Sequence, residues 1–239
     1  NLLDSGYGVY SICIGADFRR DRWKRDLPHA PKKYWPKGAY LMSYWPNNIL
    51  PVVLKNLMQD NITEPFFIYI HFNGRRDADV SKKIRYCINL FKEKKLYDES
   101  LIIMSSDHGM PDDNRRDYTS FLREKGISHR RHDLILTDDN ILVPLVIRFP
   151  TCPKGITINE PVGTIDLYPT IMDILGLRKG KTDEITKSFR GKSFLPLIYQ
   201  NSQSSIENKL FSERKFRTDS RFSGQTDRIT SIRGLRYKY

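Results

Sequence analysis

Short apolar runs alternate with polar stretches along this chain, and their spacing predicts the elements. Val9-Tyr10-Ser11-Ile12-Cys13-Ile14 is a short β-type run closed by Gly15. Phe66 to Phe72 (FFIYIHF) is continuously apolar and aromatic, the pattern of a strand buried on both faces. Leu101-Ile102-Ile103-Met104 and Val143 to Arg148 read as two further strands. Between them the period changes to that of helices. From Asp79 to about Lys95, Ile84, Ile88 and Phe91 recur at helical spacing among lysines and arginines. A helix over residues 50–60 starts near Asn48 as a cap, with Pro51 tolerated in its first turn. Thr164 to Leu177 places Leu167, Ile171, Ile174 and Leu175 on one face, with Pro169 near the start and Gly176 as the stop. The stretch after Gly15, broken by Pro28, Pro31, Pro36 and Pro46, reads as a long loop.

Strands alternating with helices predict an α/β layer architecture with a largely parallel central sheet flanked by helices. The end of the chain changes character. Lys209 to Ser212 and Thr230 to Tyr239 read as two short strands around an arginine-rich loop, a small C-terminal antiparallel sheet. We therefore divide the chain into an α/β domain over 1–200 and the start of an antiparallel subdomain over 201–239. Leu2 to Tyr7 reads as the end of a helix with Gly6 in the stop position, so the chain opens in mid-pattern.

Composition changes this picture little. At 239 residues, 39% hydrophobic and 28% charged, the chain can bury a core of one large domain or two modest ones. No apolar run approaches the roughly 20 residues that span a bilayer, and no secretion signal is visible at the start. Cys13, Cys87 and Cys152 are scattered, with no CxxC pair, and read as buried or semi-buried free thiols. That leaves the compartment open.

Charge adds more. The net charge of +12 favours an anionic partner: nucleic acid, an acidic surface, or a sulfated or phosphorylated substrate. Much of it lies in residues 19–37 and 214–238. The first stretch interleaves Trp23, Tyr34 and Trp35 with basic residues, as a strand-binding surface can. A solvated, proline-punctuated loop explains it better, and with no recognised fold motif nucleic-acid binding ranks last.

Asp107-His108-Gly109 follows directly on a predicted strand, and ligands of open α/β sheets bind at the carboxyl ends of strands. An Asp and a His side by side offer a hard oxygen and an imidazole nitrogen, both competent metal ligands, and Gly109 lets the chain turn sharply behind them. Taken alone, the tripeptide is equally well a strand-terminal turn with a capping Asp.

The surrounding order decides between these. Pro65 to Phe72 leads into a helix, then into Leu96-Tyr97-Asp98-Glu99-Ser100 and the strand ending at Ser106-Asp107-His108-Gly109; His132 and Asn140 to Pro150 follow. Val162 to Thr170, Gly191 to Leu197, Phe211-Ser212-Glu213 and Ile232 to Tyr239 continue the series. In that order these segments resemble the sulfatase family of the alkaline phosphatase superfamily, over nearly the whole chain.

The resemblance implies an alkaline phosphatase-like fold and metal-dependent hydrolysis of a sulfate ester. Asp107 and His108 match the family's metal-binding aspartate and its neighbour. His132 lies where the family has a Lys or His touching the metal or the sulfate; a surface histidine beside Arg130 and Arg131 is the alternative. Asp133, Asp138 and Asp139 read as loop and cap residues, and His71 as a structural polar group. The implied cofactor is a divalent metal, calcium first, with zinc, manganese or magnesium as alternatives. The implied partner is an anionic small-molecule or carbohydrate sulfate ester.

Three departures qualify the resemblance. The family's nucleophile lies in a Cys/Ser-x-Pro-x-Arg segment; residues 1–239 contain no such segment, and the family's N-terminal aspartate pair is missing with it. The expectation is a chain that starts after that segment, binds metal poorly and does not turn over by itself. Gly15-Ala16-Asp17-Phe18 stands where the family often has Gly-Lys-Trp-His-Leu-Gly. The family's second, substrate-facing His lines up with Arg76, which can clamp an oxyanion with two hydrogen bonds but is no general acid. A phosphoester or phosphonate hydrolase, or a phosphoethanolamine-type transferase, is the alternative within the superfamily. A degenerate, polyanion-binding member is the alternative outside catalysis.

Overall fold

The structure is a computed structural model that describes residues 6–14, 39–45, 50–59, 65–72, 77–109, 136–177, 190–199, 209–215 and 228–234. These form two compact units, Asn1–Glu99 and Ser100–Tyr239.

The first unit is built on a parallel sheet. Strand β1 (Gly8–Ile14) lies between β2 (Ala39–Trp45) and β3 (Phe66–Phe72), and both pairings are parallel. The β1–β3 ladder runs in unbroken register from Gly8↔Phe66 to Ile14↔Phe72, and begins where the Gly8 N–H donates to the Pro65 carbonyl at 2.8 Å. The proline-broken loop expected before residue 48 thus contains a strand. Pro36 and Pro46 flank the apolar run of β2 and do not interrupt its ladder, so they punctuate the strand and do not forbid it.

Helices α1 (Leu50–Gln59) and α2 (Asp77–Glu93) meet their expected ranges; the cap expected at Asn48 lies outside the described residues. One core joins the unit, with Tyr10 of β1, Leu50 and Leu54 of α1, and Cys87 and Leu90 of α2 buried together. Phe66, Ile68, Ile70 and Phe72 pack against it from β3. Phe67 and Tyr69, the alternate residues, are exposed. The strand is therefore covered on one face only among the described residues, which corrects the expectation of two buried faces: the apolar run hides a period of two. The buried seam of α2 runs through Cys87 and Leu90, with Ile84, Ile88 and Phe91 half-buried at its shoulders. Tyr86 Oη donates to the Pro51 carbonyl at 3.3 Å and ties α2 to α1.

The second unit carries β4 (Ile102–Ser105) and β5 (Leu145–Arg148), paired antiparallel from Ile102↔Arg148 to Ser105↔Leu145. Arg148 closes the pair by donating to the Ser100 carbonyl at 3.0 Å. Between these strands a single helical turn, α3 (Asp138–Ile141), precedes β5. A 3-10 turn (Thr164–Asp166) then leads into α4 (Leu167–Ile174), and α5 (Leu195–Ile198) follows. Gly176, at φ 66°, takes the left-handed position that ends α4, as its sequence predicts.

Phe149, Phe194, Leu197 and Ile198 form this unit's core, with Leu145, Ile147, Leu167 and Ile174 packed around them. Each fully buried side chain of this size contributes roughly 1.5–3 kcal/mol of gross transfer free energy. A polar knot holds the core's edge. Asp166 is 6% exposed, and its two carboxylate oxygens accept the Gly163 N–H at 2.8 Å and the Lys192 N–H at 2.7 Å. Thr170 donates to the Asp166 carbonyl at 2.7 Å and accepts the Phe194 N–H at 3.1 Å.

The chain ends in an antiparallel hairpin, β6 (Leu210–Lys215) and β7 (Arg228–Arg233), in register from Leu210↔Arg233 to Lys215↔Arg228. The described pairings are thus one parallel sheet of three strands and two antiparallel pairs, including the small C-terminal one expected. A single central parallel sheet is not among them.

Candidate functional site

Strand β4 ends at Ser105, and the chain turns at once through Ser106-Asp107-His108-Gly109. Local hydrogen bonds set the turn. Ser106 Oγ donates to the His108 carbonyl at 2.7 Å, and the His108 N–H donates to Asp107 Oδ1 at 3.0 Å. One carboxylate oxygen is thereby used to hold the backbone, and the other, Oδ2, lies 3.5 Å from His108 Nε2.

The imidazole is oriented by its other nitrogen. His108 Nδ1 stands 2.7 Å from the Gly109 carbonyl, and a carbonyl can only accept, so Nδ1 carries the proton of that bond. In the neutral ring, Nε2 then presents a lone pair, the tautomer that a metal-binding histidine needs. Asp107 Oδ2 and His108 Nε2 face one another at 3.5 Å, an ion pair when the ring is protonated and two donor atoms when it is neutral, with 59% and 35% of their side chains exposed. That donor pair suits a hard or borderline divalent cation, which both atoms could share. Among the described residues no group of three or more His, Cys, Asp or Glu side chains is assembled.

Gly109 matters for a reason the sequence did not give. Its φ is not in the left-handed range. Instead its N–H donates to the Asn140 carbonyl at 2.8 Å, and a Cβ at this position would overlap the Asp139 backbone carbonyl. The glycine admits a close approach of α3 to the turn. Asn140 itself is 4% exposed.

Other expected positions divide sharply. His132 and Arg76 lie outside the described residues, as do Asp133, Ala16, Trp23, Tyr34 and Trp35. Asp138 and Asp139 form the first turn of α3, and Asp138 accepts a hydrogen bond from Arg233 Nη2 of β7. His71 is half-buried and shares a 3.2 Å hydrogen bond with Tyr69 Oη through Nδ1, a satisfied polar group as its sequence position suggests. Cys87 and Cys152 are free thiols, buried and half-buried respectively. No helix among the described residues is long and apolar enough to cross a membrane.

Sequence reasoning missed the roles of Asn140 and Arg233. Both stand in family-like segments, but the bond of Asn140 to the turn and that of Arg233 to Asp138 are tertiary, and no local periodicity announces them.

Comparison with known proteins gives the class first. Residues 78–177 match the family model for sulfatases, a span that holds α2, β4, the Asp107–Gly109 turn, β5 and α4. The resemblance to the sulfatase family, within the alkaline phosphatase-like hydrolases, is thereby borne out. Among particular proteins, arylsulfatase K of Danio rerio is 28% identical over 46% of this chain, and that of Homo sapiens 27% identical over 43%. The matched stretch is 17% and 16% of the length of those two relatives. A phosphonate monoester hydrolase from Silicibacter pomeroyi superposes over 67% of this chain and 30% of its own, with a TM-score of 0.51 and 27% identity. A second phosphonate monoester hydrolase, from Agrobacterium radiobacter, covers 79% of this chain and 39% of its own at a TM-score of 0.50; at 20% identity it speaks for the fold alone.

Proposed function

We propose that this chain supplies half of a divalent-metal site in a hydrolase of sulfate esters, with Asp107 and His108 as two of the ligands. The observation that carries the reading is the facing pair at the end of β4. Asp107 Oδ2 and His108 Nε2 stand 3.5 Å apart, the imidazole turned by its Nδ1 contact to Gly109. The match to the sulfatase model over residues 78–177 and the likeness to arylsulfatase K support the substrate class.

A divalent cation, calcium by family precedent and zinc, manganese or magnesium otherwise, stabilises negative charge on ester oxygens when bound. The chain's own residues have narrower tasks. Asp107 offers one oxygen and spends the other on its own turn. His108 presents Nε2 because Nδ1 is committed to Gly109. His132 holds the anion or protonates the leaving group, and Arg76 clamps the oxyanion through its guanidinium fork. The positive charge of the chain draws an anionic ester towards the site.

The 27% identity to a phosphonate monoester hydrolase favours a second reading, in which the ester is a phosphonate or phosphate and the metal framework is the same. Both readings need a nucleophile, and the 239 residues hold no Cys/Ser-x-Pro-x-Arg segment. The activity is therefore proposed for the intact protein, with no turnover by residues 1–239 alone.

Asp107→Asn in the intact protein tests the reading. Metal content, measured by elemental analysis, should fall below one ion per site. Turnover of an aryl sulfate and of a phenyl phosphonate should both drop by about a thousandfold or more, beyond the 10–100-fold typical of a ligand's supporting neighbours. Undiminished turnover with full metal content would remove Asp107 from the site. The ratio of the two substrates in the unmutated protein chooses between sulfate and phosphonate.

A further inference from the structure

We propose that Arg233, on the last strand of the C-terminal hairpin, is a positioning residue for the Asp107–His108 turn; the inference rests on the reading of those two residues as metal ligands. Its basis is a continuous path of contacts within the second unit. Arg233 Nη2 donates to Asp138 Oδ2. Asp138 opens α3, whose Asn140 carbonyl accepts the Gly109 N–H at 2.8 Å. The Gly109 carbonyl in turn accepts from His108 Nδ1 at 2.7 Å, which fixes the direction of Nε2. Three hydrogen bonds and the short helix between them link the hairpin to the orientation of a proposed ligand.

A helix of four residues does not hold itself, because nucleation costs more than one turn of hydrogen bonds returns. Thr137, its N-cap, makes no side-chain capping bond. The turn is therefore fixed from outside, by the Gly109 amide on one side and by Arg233 on the other. The second anchor is charge-assisted, with the Arg233 side chain 22% exposed and that of Asp138 46%, so solvent screens it mainly from the aspartate's side.

The hairpin's pattern points the same way. Along β7, Ser231 is buried and Arg233 half-buried, whereas Ile232 between them is exposed. Ile232 pairs across the hairpin with Phe211, which is 70% exposed. The inward face of the hairpin thus carries Ser231 and Arg233 beside half-buried Leu210, while Phe211 and Ile232 face outward with Glu213 and Thr230. Arg233 is held by its register opposite Leu210, so the guanidinium arrives from a fixed strand.

Amide exchange by NMR on residues 1–239, without metal, tests the brace. The variants are Arg233→Ala, Arg233→Lys and Asp138→Asn. Asp138→Asn removes the acceptor charge without touching the hairpin, which covers the case in which Arg233→Ala loosens β6–β7 itself. The Gly109 amide should exchange about two- to fivefold faster in Arg233→Ala and in Asp138→Asn, the upper part of the range for one partly exposed ion pair. Arg233→Lys should restore part of the protection. The His108 Nδ1 resonance should move with the Gly109 effect, a signature that general loosening would not give, and the amides of Ile103 and Ile147 should be unaffected. Equal Gly109 protection in all proteins, or equal loss at Gly109, Ile103 and Ile147, would overturn the inference.

A calcium chloride titration to millimolar concentration, about the range of weak calcium sites, separates this from the functional reading. The metal reading is decided by the metal content of Asp107→Asn in the intact protein, which holds the whole ligand set, while the exchange comparison, made without metal, decides the brace. Shifts of the Asp107 and His108 resonances with the same midpoint in the unmutated chain and in Asp138→Asn overturn the brace and leave the metal reading standing.

Discussion

Two aspartates of the second unit, Asp107 and Asp166, both follow apolar segments and both sit in family-like motifs, yet they do opposite work. Asp166 is 6% exposed and gives both carboxylate oxygens to backbone N–H groups, of Gly163 and Lys192. Asp107 has 59% of its side chain exposed; one oxygen takes the His108 N–H and the other faces His108 Nε2. A carboxylate that is buried and gives both oxygens to backbone N–H groups is architecture. One that is exposed and keeps an oxygen turned to an imidazole is what the proposed cation site uses. Burial and the partners of each oxygen, more than the presence of an aspartate in a motif, separate the two.

The exchange of Asp for Asn at the two positions breaks or sharpens that distinction. Asp107→Asn, as argued above, should cost about a thousandfold in turnover, beyond the effect of supporting neighbours, and leave stability within about 0.5 kcal/mol, as for a surface change. Asp166→Asn should do the reverse. One amide nitrogen must face a backbone N–H that the carboxylate accepted, so a buried donor loses its partner and the charge assistance goes. The expected loss is about 3 kcal/mol, read as a lower denaturant midpoint with unchanged slope. Metal content of the folded fraction should be unaltered. If Asp166→Asn emptied the metal site at full stability, the division between the two aspartates would be wrong.

Gly109→Ala tests the geometry behind the ligand turn and should have a smaller effect. The new Cβ would overlap the Asp139 carbonyl, and backbone cannot swing aside as a long side chain can. Either the turn or α3 must move, at about 1–3 kcal/mol for overpacking of this kind. Thermal denaturation measures the loss, and faster exchange of the residue 109 amide locates it. A variant as stable as the parent, with that amide still protected, would show that the approach is looser than the structure has it.

Much of this was legible in the sequence, and the reasons differ by region. Strands β1, β3, β4 and β5 and helices α1, α2 and α4 follow from apolar runs and helical spacing, because local period records which face is covered. Strand β2 was hidden by its flanking prolines, which mark loops more often than strand ends. The outer face of β3 was misread because Phe67 and Tyr69 are as apolar as their buried neighbours, so the letters show no alternation that the burial shows. The Asp107–Gly109 turn could be located from its motif order, but not its support. Gly109 was read as a turn former, and its close contact with Asp139 is tertiary. The bond between Arg233 and Asp138 joins residues 95 positions apart, and no spacing rule reaches that far. His132 and Arg76 stay proposals, since both lie outside the described residues.

A third titratable group extends the comparison into the first unit, where the effect should be smallest. Cys87 lies in the core between α1 and α2, and burial pushes its thiol from 9.0 up to about 11. Like Asp166 it is enclosed, but as a neutral thiol for which desolvation outweighs its backbone hydrogen bond, so burial resists its ionisation. The folded state binds its proton more tightly than the unfolded chain does. Its contribution is therefore fully present below pH 9 and is lost as pH rises from 9 towards 11. At pH 10 the two values correspond to roughly 1 kcal/mol of lost stability. Lysines and tyrosines titrate in the same range, so the measurement must be a difference. Denaturant midpoints of the parent and Cys87→Ala, compared at pH 8 and pH 10, isolate the thiol. Cys87→Ala should be less stable at pH 8, because it leaves a small cavity, and the gap should narrow by about that 1 kcal/mol at pH 10. A gap of constant size would mean that the thiol titrates alike in both states, and that the core around Cys87 admits water.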